Sequence, residues 1–218
     1  MAWRPLLDFL FPPQCANCNA LGSGLCDACA PRGHHVRIRL PSLAVTALAP
    51  YEGSLRAAVL ALKDGRRDVA EALGRSVAPL VEPGSLLVPI PTTPKRRRSR
   101  GLDGVALVAR YAADIAGARV LLALEQRSGD AQRGRSRTQR LAAQGRFACS
   151  ATTIAARRVI LFDDVCTTGA TLRDCAAAVR EAGGLVEDAV VVAAALHEAG
   201  TREPATKSGH PWSKPTRN

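Results

Sequence analysis

The sequence predicts an α/β fold in which helices flank a parallel sheet. Short apolar runs with the length of a buried strand alternate with segments whose apolar residues repeat at helical spacing. The 218 residues are 47% hydrophobic and 22% charged, which suits a soluble protein with one main core and a small appendage. We therefore expect a small module over residues 1–40, an α/β domain over residues 41–198 and a disordered tail over residues 199–218.

The first half of the α/β domain contains five predicted elements. Apolar residues at helical spacing define the helices, glycine and basic residues end the first of them, and prolines bound the second strand. The elements in order are a strand at residues 45–49, helices at 54–63 and 68–80, a strand at 86–90 and a helix at 102–116.

The second half of the domain should contain buried strands at residues 120–124, 159–162 and 186–196. A helix follows the middle strand and stops at Gly183-Gly184. The segment after residue 198 is rich in Pro, Gly, Ser, Thr and charge, which favours disorder. No stretch is long enough to span a membrane, and residues 1–13 lack the features of a signal peptide, so we expect a cytoplasmic protein.

Four of the seven cysteines are clustered near the amino terminus as CANC and CDAC, separated by seven residues. Two such knuckles can present four thiolates tetrahedrally to one zinc ion. Metal ligation is more plausible here than disulfides because the chain shows no export signal. We predict a structural zinc site, since the protein supplies all four ligands: Cys15, Cys18, Cys26 and Cys29.

The stretch VILFDDVCTTGAT over residues 159–171 predicts a phosphate site. Its strand is followed by two carboxylates, Asp163 and Asp164, and then by a turn of small and hydroxylated residues. Thr171 with Asp174 has the form of a capping box that starts a helix, whose N-terminus would attract an anion. The residues expected to bind this anion are Cys166, Thr167, Thr168, Gly169, Ala170 and Thr171.

Basic residues are abundant, with a formal net charge of +11 and a pI near 10.1. Such a charge favours polyanionic ligands, whether nucleic acid or phosphorylated metabolites. Six arginines lie within residues 127–146, and Lys63 suits either the end of its helix or a phosphate. A second basic run follows the predicted strand at 86–90, where open α/β sheets collect ligands, and supplies Lys95, Arg96, Arg98 and Arg100 as candidates for a diphosphate.

With these motifs in view, the chain resembles the ComF/GntX family, phosphoribosyltransferase-like proteins with an N-terminal zinc knuckle. The resemblance rests on four features: the CxxC pairs, residues 51–63, VPIP leading to Arg100-Gly101, and the 159–171 stretch. It implies a type I phosphoribosyltransferase-like fold that binds phosphoribosyl diphosphate with magnesium. Residues 102–104 depart from the family's usual aromatic-Asn-Gln sequence.

Carried onto matching positions, the resemblance implies a role for each motif. Asp163 and Asp164 would bind the ribose hydroxyls directly or through magnesium. Residues 167–171 would bind the 5′-phosphate, and the basic loop would bind the diphosphate that leaves. Cys166 as a nucleophile is disfavoured because no histidine lies nearby in sequence and bound phosphate offers it no electrophile. The family's link to competence and DNA uptake keeps a second hypothesis open, in which the arginine loops bind DNA and catalysis is absent.

Overall fold

The computed structural model describes residues 12–33, 35–92, 103–127, 145–150, 154–195 and 203–204. Within these residues lie four α-helices, which we label α1 Gly53–Lys63, α2 Arg67–Val77, α3 Gly104–Ala116 and α4 Ala170–Glu181, and a 3₁₀ turn at Ala78–Leu80. The strands in this part of the chain are β1 Val36–Leu40, β2 Leu43–Pro50, β3 Leu86–Pro89, β4 Arg119–Val120, β5 Leu124–Gln126, β6 Phe147–Cys149, β7 Arg158–Cys166, β8 Leu185–Ala194 and β9 Glu203–Pro204.

Seven strands form one sheet in the order β4-β3-β7-β8-β2-β1-β9. The five from β4 to β2 are mutually parallel, whereas β1 pairs antiparallel with β2 and with β9. β5 and β6 form a separate antiparallel hairpin. The predicted α/β class with a mainly parallel sheet is confirmed, and the runs at 159–162 and 186–196 form the adjacent inner strands β7 and β8.

Helices cover both faces of the sheet, as a parallel sheet requires. On β7, Ile160 and Phe162 belong to a core cluster with α1, α2 and α3, whereas Val159 and Leu161 belong to a second cluster with α4 and the β5–β6 hairpin. This alternation is the period-two geometry of a strand that is buried on both sides. No helix among the described residues is long and apolar enough to cross a membrane.

Three local predictions were wrong. The run at 120–124 is not one strand: β4 ends at Val120, Leu122 is 61% exposed, and β5 begins only at Leu124. The strand predicted at 159–162 continues through both carboxylates to Cys166. The N-cap of α4 is Gly169, without a side-chain cap bond, so the predicted Thr171–Asp174 capping box is absent.

The four-cysteine segment packs on the α/β domain instead of standing apart from it. Cys15 and Leu25 are buried in the same core cluster as α1 and α2. The Ser54 hydroxyl at the start of α1 donates a 2.7 Å hydrogen bond to the Cys29 carbonyl. At Gly24 a Cβ would lie 2.4 Å from the backbone nitrogen of Val69, so only glycine permits this close approach to α2.

Candidate functional site

Four of the residues predicted to bind ligand line a cleft of about 270 Å³ at the carboxyl ends of β3 and β7: Lys63, Asp163, Asp164 and Thr171. Asp163 and Asp164 come from β7, while Ile90, Pro91 and Thr92 follow the neighbouring strand β3. A 2.8 Å hydrogen bond from the Ile90 amide to the Phe162 carbonyl holds the two strand ends together. This edge is where parallel α/β sheets bind ligands.

A larger cavity of about 820 Å³ lies at the opposite, amino-terminal end of β7 and β8. Part of its charged lining is already paired, because Arg158 contacts Glu187 at 3.0 Å and Asp188 at 3.6 Å. Arg180 likewise donates to the carbonyls of Ser42 and Val186. The smaller cleft is the better candidate for a ligand site because Asp163 and Asp164 lie there beside the N-terminus of α4.

Lys63 approaches the acidic pair from the last turn of α1. Its ammonium nitrogen lies 3.2 Å from Asp164 Oδ2, with the two side chains 31% and 17% exposed. The sequence left open whether Lys63 serves the helix terminus or a ligand. Lys63 lies in the cleft, where a phosphate or a metal ion would bind. Its ammonium group already balances part of the negative charge of the acidic pair there.

Asp163 is held in a setting that disfavours its charge. Burial, followed by the adjacent charge of Asp164, raises the pKa of the Asp163 carboxyl well above its usual range. The backbone amide of Asp164 donates a 2.8 Å hydrogen bond to Asp163 Oδ1 and, with Lys63, offsets only part of this effect. Without a ligand, the negative charge of Asp163 and Asp164 is therefore not fully balanced by nearby positive charge.

We expect Asp163→Asn to stabilise the unliganded protein at neutral pH. A carboxyl whose pKa is raised by folding binds more protons in the folded than in the unfolded state at pH values around and between its two pKa values. Stability therefore falls as the pH rises through that range. The amide removes both the cost of burying the charge and its repulsion with Asp164, and the repulsion alone is worth on the order of 1 kcal/mol for two charges about 4 Å apart in water. Thermal unfolding in magnesium-free buffer without chelator should show a gain at pH 8 that shrinks towards pH 4; an equal or lower melting temperature at pH 8 would contradict this.

The turn after β7 leads directly into α4 at the edge of the cleft. Gly169 adopts a left-handed φ of 71° as the N-cap, a conformation that favours glycine. Thr167 and Thr168 are exposed, and Thr171 in the first helical turn lines the cleft. First-turn amides have no intrahelical acceptor, so this turn offers N–H and hydroxyl donors to an anion.

Cys166 contributes to the turn differently from its threonines. Its side chain is only 2% exposed and packs in the core cluster beneath α4. Burial, together with the charge of Asp163, raises the pKa of the Cys166 thiol. The side chain is therefore a neutral core group at neutral pH, which agrees with the prediction that it is not a nucleophile.

Several cleft residues were not singled out from the sequence. Thr92 donates a 3.2 Å hydrogen bond to Asp103, the N-cap of α3, and Arg146 pairs with Asp174 of α4 at 2.7 Å. Gln126 and Phe147 come from the β5–β6 hairpin and also line the cleft. No motif marks Gln126 or Phe147, whereas Arg146 belongs to the arginine-rich segment 127–146 and Thr92 to the loop after the predicted strand at 86–90. Four predicted ligand residues, Lys95, Arg96, Arg98 and Arg100, lie outside the described residues.

The four predicted zinc ligands are brought together. The sulfur atoms of Cys15, Cys18, Cys26 and Cys29 all lie within 4.8 Å of one another. Short separations within a set of four thiolates are what a tetrahedral metal site needs. The cluster could therefore hold a metal ion, as the CxxC spacing predicted.

The thiols of this cluster differ in acidity. Burial tends to raise the pKa of Cys15, but backbone amides of Cys18, Cys26 and Asn17 outweigh it and lower the pKa to about 6. The Asn17 amide donates to Cys29 Sγ at 3.3 Å, which favours the thiolate, yet the neighbouring sulfurs raise the pKa of Cys29 to about 12. Four adjacent thiolates repel one another in the absence of a cation.

No family model matches the chain, and no curated protein matches it either. Among solved structures, the chain is similar to one described as "structure of the allosteric regulatory enzyme of purine biosynthesis", with a TM-score of 0.41 and 20% identity. The match covers 59% of this chain and 25% of the other, so the chain spans about a quarter of that enzyme's length.

Proposed function

We propose that this chain is a phosphoribosyltransferase-like protein of the ComF/GntX type that binds phosphoribosyl diphosphate with magnesium. The observation that carries the proposal is the adjacency of two carboxylates on β7 to the donor-rich turn at the N-terminus of α4. A ribose phosphate needs both partners, acceptors for its hydroxyls and donors for its phosphate. The cleft offers them within one stretch of the chain.

Each group of the cleft has a role in this proposal. Asp163 and Asp164 would accept hydrogen bonds from the ribose hydroxyls, directly or through the metal. Bound magnesium supplies positive charge shared between carboxylates and substrate phosphates. The first-turn amides of α4 and the threonine hydroxyls would bind the 5′-phosphate. The basic loop assigned to the diphosphate, which lies outside the described residues, stays a prediction from the sequence.

Transfer of the phosphoribosyl group is a further step that these residues support in part. When an acceptor attacks the anomeric carbon, the bond from that carbon to the diphosphate oxygen breaks, and the diphosphate leaves with the electron pair. Positive charge near the leaving oxygens favours this departure. Lys63, which contacts Asp164 at the end of α1, and Arg146, which pairs with Asp174, are the described cations that line the cleft.

The four-cysteine cluster fits a structural zinc ion in the same proposal. The protein supplies four sulfur ligands, which leaves no coordination position for a substrate. The cluster also lies against α1 and α2, whose packing would depend on its integrity. Binding to DNA stays a prediction, because the arginine-rich segments that suggest it lie largely outside the described residues. A cytoplasmic location also stays a prediction.

A thermal-shift experiment tests the proposal. Phosphoribosyl diphosphate with magnesium should raise the melting temperature, because a ligand at a hundred times its Kd adds about 2.7 kcal/mol of stability. Ribose 5-phosphate or inorganic diphosphate alone should give smaller shifts, since each reaches only part of the site. Equal shifts with all three ligands, or no shift with any of them, would contradict the proposal.

A further inference from the structure

Helix α1 is bonded to the four-cysteine segment at both of its ends. At its start, the Ser54 hydroxyl donates to the carbonyl of Cys29, the last of the four cysteines. Just beyond its end, the Arg66 guanidinium donates to the carbonyl of Gln14, which directly precedes Cys15, the first of them. Backbone at or next to two predicted metal ligands is therefore attached to opposite ends of one helix.

Arg66 joins three parts of the structure at the corner between α1 and α2. Its backbone amide donates to the Ala61 carbonyl in the last turn of α1 at 3.2 Å. Its guanidinium donates both to the Gln14 carbonyl and to the carboxylate of Asp68, in the first turn of α2. Because a guanidinium is planar and holds its donors in a fixed fork, two such partners are fixed relative to each other.

The turn that Arg66 holds is the turn that carries Lys63 into the cleft. Leu62 beside it is 3% exposed and belongs to the core cluster that contains Cys15. A Cβ on Gly104, at the start of α3, would lie 3.1 Å from the Leu62 side chain, so this helix end is closely packed. The lysine stem itself is flexible, and its contact with Asp164 therefore depends on where the backbone of this turn is held.

We propose that Arg66 is a positioning residue for the cleft: by binding the Gln14 carbonyl, it fixes the end of α1 so that Lys63 contacts Asp164. The four-cysteine segment then influences ligand binding although none of its cysteines lines the cleft. The placement of Lys63 follows from contacts within the protein, whereas the effect on ligand affinity rests on the proposed function. A bond with only a structural role would change stability without acting through Lys63.

The experiment compares variants of the zinc-loaded protein well below their melting temperatures. Arg66→Met keeps an unbranched side chain but removes the donors, and Asp68→Asn is a milder variant that removes the charge opposite the guanidinium. Lys63→Met and its combination with Arg66→Met complete a double-mutant cycle. The matched control is Arg75→Met in the last turn of α2, where the guanidinium pairs with the exposed Glu71 at 3.3 Å.

The first measurement is the rate at which an amine-specific reagent acylates Lys63, determined by mass spectrometry relative to Lys214 in the same sample. The amine must leave Asp164 before it can react, so the rate reports the contact and requires no ligand. We expect Arg66→Met to raise the rate about fivefold, the effect of losing one typical hydrogen bond. Asp68→Asn should raise it less, and Arg75→Met should leave it unchanged.

The second measurement is the affinity for phosphoribosyl diphosphate with magnesium, determined by calorimetry. Lys63→Met should weaken binding about tenfold, as expected when a charged hydrogen-bond partner is lost. Arg66→Met alone should weaken it about fivefold, the size of one typical hydrogen bond. In the Lys63→Met background, Arg66→Met should change the affinity by less than about twofold, because two residues that act through the same contact are not additive.

Three results would overturn the inference: an unchanged acylation rate in Arg66→Met, additive losses of affinity in the cycle, or equal effects in Arg75→Met. If Arg66→Met melts too low for measurement, Asp68→Asn takes its place with the same expected directions. If phosphoribosyl diphosphate binds and any of these three results is found, only the role of Arg66 fails. If acylation rises as expected but the wild-type chain does not bind phosphoribosyl diphosphate, the proposed function fails and the positioning of Lys63 stands.

Discussion

Replacement of both cleft carboxylates, Asp163→Asn with Asp164→Asn, is expected to abolish magnesium-dependent binding of phosphoribosyl diphosphate. Two neutral amides offer oxygen atoms but no negative charge, whereas magnesium is usually held by one or two carboxylates together with the substrate phosphates. We expect affinity to fall at least a hundredfold, which corresponds to about 2.7 kcal/mol. Equilibrium dialysis with labelled ligand measures this loss. The variant should stay folded, because it also removes the like-charge repulsion that raises the pKa of Asp163.

A matched control is available at the other end of the same sheet. Glu187→Gln with Asp188→Asn removes the same two charges from the amino-terminal region of β8, where both carboxylates pair with Arg158. Exposed ion pairs of this kind contribute little to stability, and these residues lie outside the cleft. The control variant should bind the ligand like the wild type. Equal losses in both double variants would mean that net charge, and not the cleft, governs binding.

Loss of the metal from the four-cysteine cluster should destabilise the protein strongly. Structural zinc sites contribute roughly 10 kcal/mol or more to folding, and the packed side of this cluster includes the buried Cys15 and Leu25. Cys18→Ser removes one ligand at an exposed position, so it leaves no cavity in the core. We expect a much lower melting temperature in this variant, and chelator should lower the wild type to a similar value.

Cys149→Ser provides the control for this prediction, because Cys149 is a free, partly exposed thiol outside the cluster. It should melt near the wild type and remain sensitive to chelator. Chelation should also increase amide hydrogen exchange along α1, whose first turn is bonded to Cys29 through Ser54. If the chelator changes neither the wild-type melting temperature nor this exchange, the cluster does not hold a structural metal.

The sequence predicted the centre of the fold well because the central strands are buried on both faces. The run at residues 159–162 is apolar without interruption, as β7 requires when Phe162 and Leu161 are both fully buried on opposite sides of the sheet. The edge of the sheet was harder to predict. At residues 120–124 a similar apolar run leaves the sheet after Val120, because β4 is an edge strand with only one neighbour.

The sequence predicted the part of the candidate site that lies in one contiguous stretch of the chain. Asp163, Asp164 and the turn before α4 are adjacent in sequence, so their pattern is visible without a structure. Gln126 and Arg146 reach the cleft only through the β5–β6 hairpin, and no motif marks Gln126. The capping box was wrong because Asp174 pairs with Arg146 while Gly169 begins the helix, a contact across 28 residues that local spacing cannot reveal.

A calorimetric titration of the wild-type chain with phosphoribosyl diphosphate, in magnesium and then in magnesium-free buffer without chelator, tests the central claim most directly. The carboxylate pair beside the α4 N-terminus predicts saturable binding of one ligand per chain in magnesium and a loss of at least tenfold in affinity in its absence. Thermal unfolding of the same sample establishes that the protein is folded. Absence of binding by the folded, metal-loaded protein would contradict the assignment of this cleft as a phosphoribosyl diphosphate site.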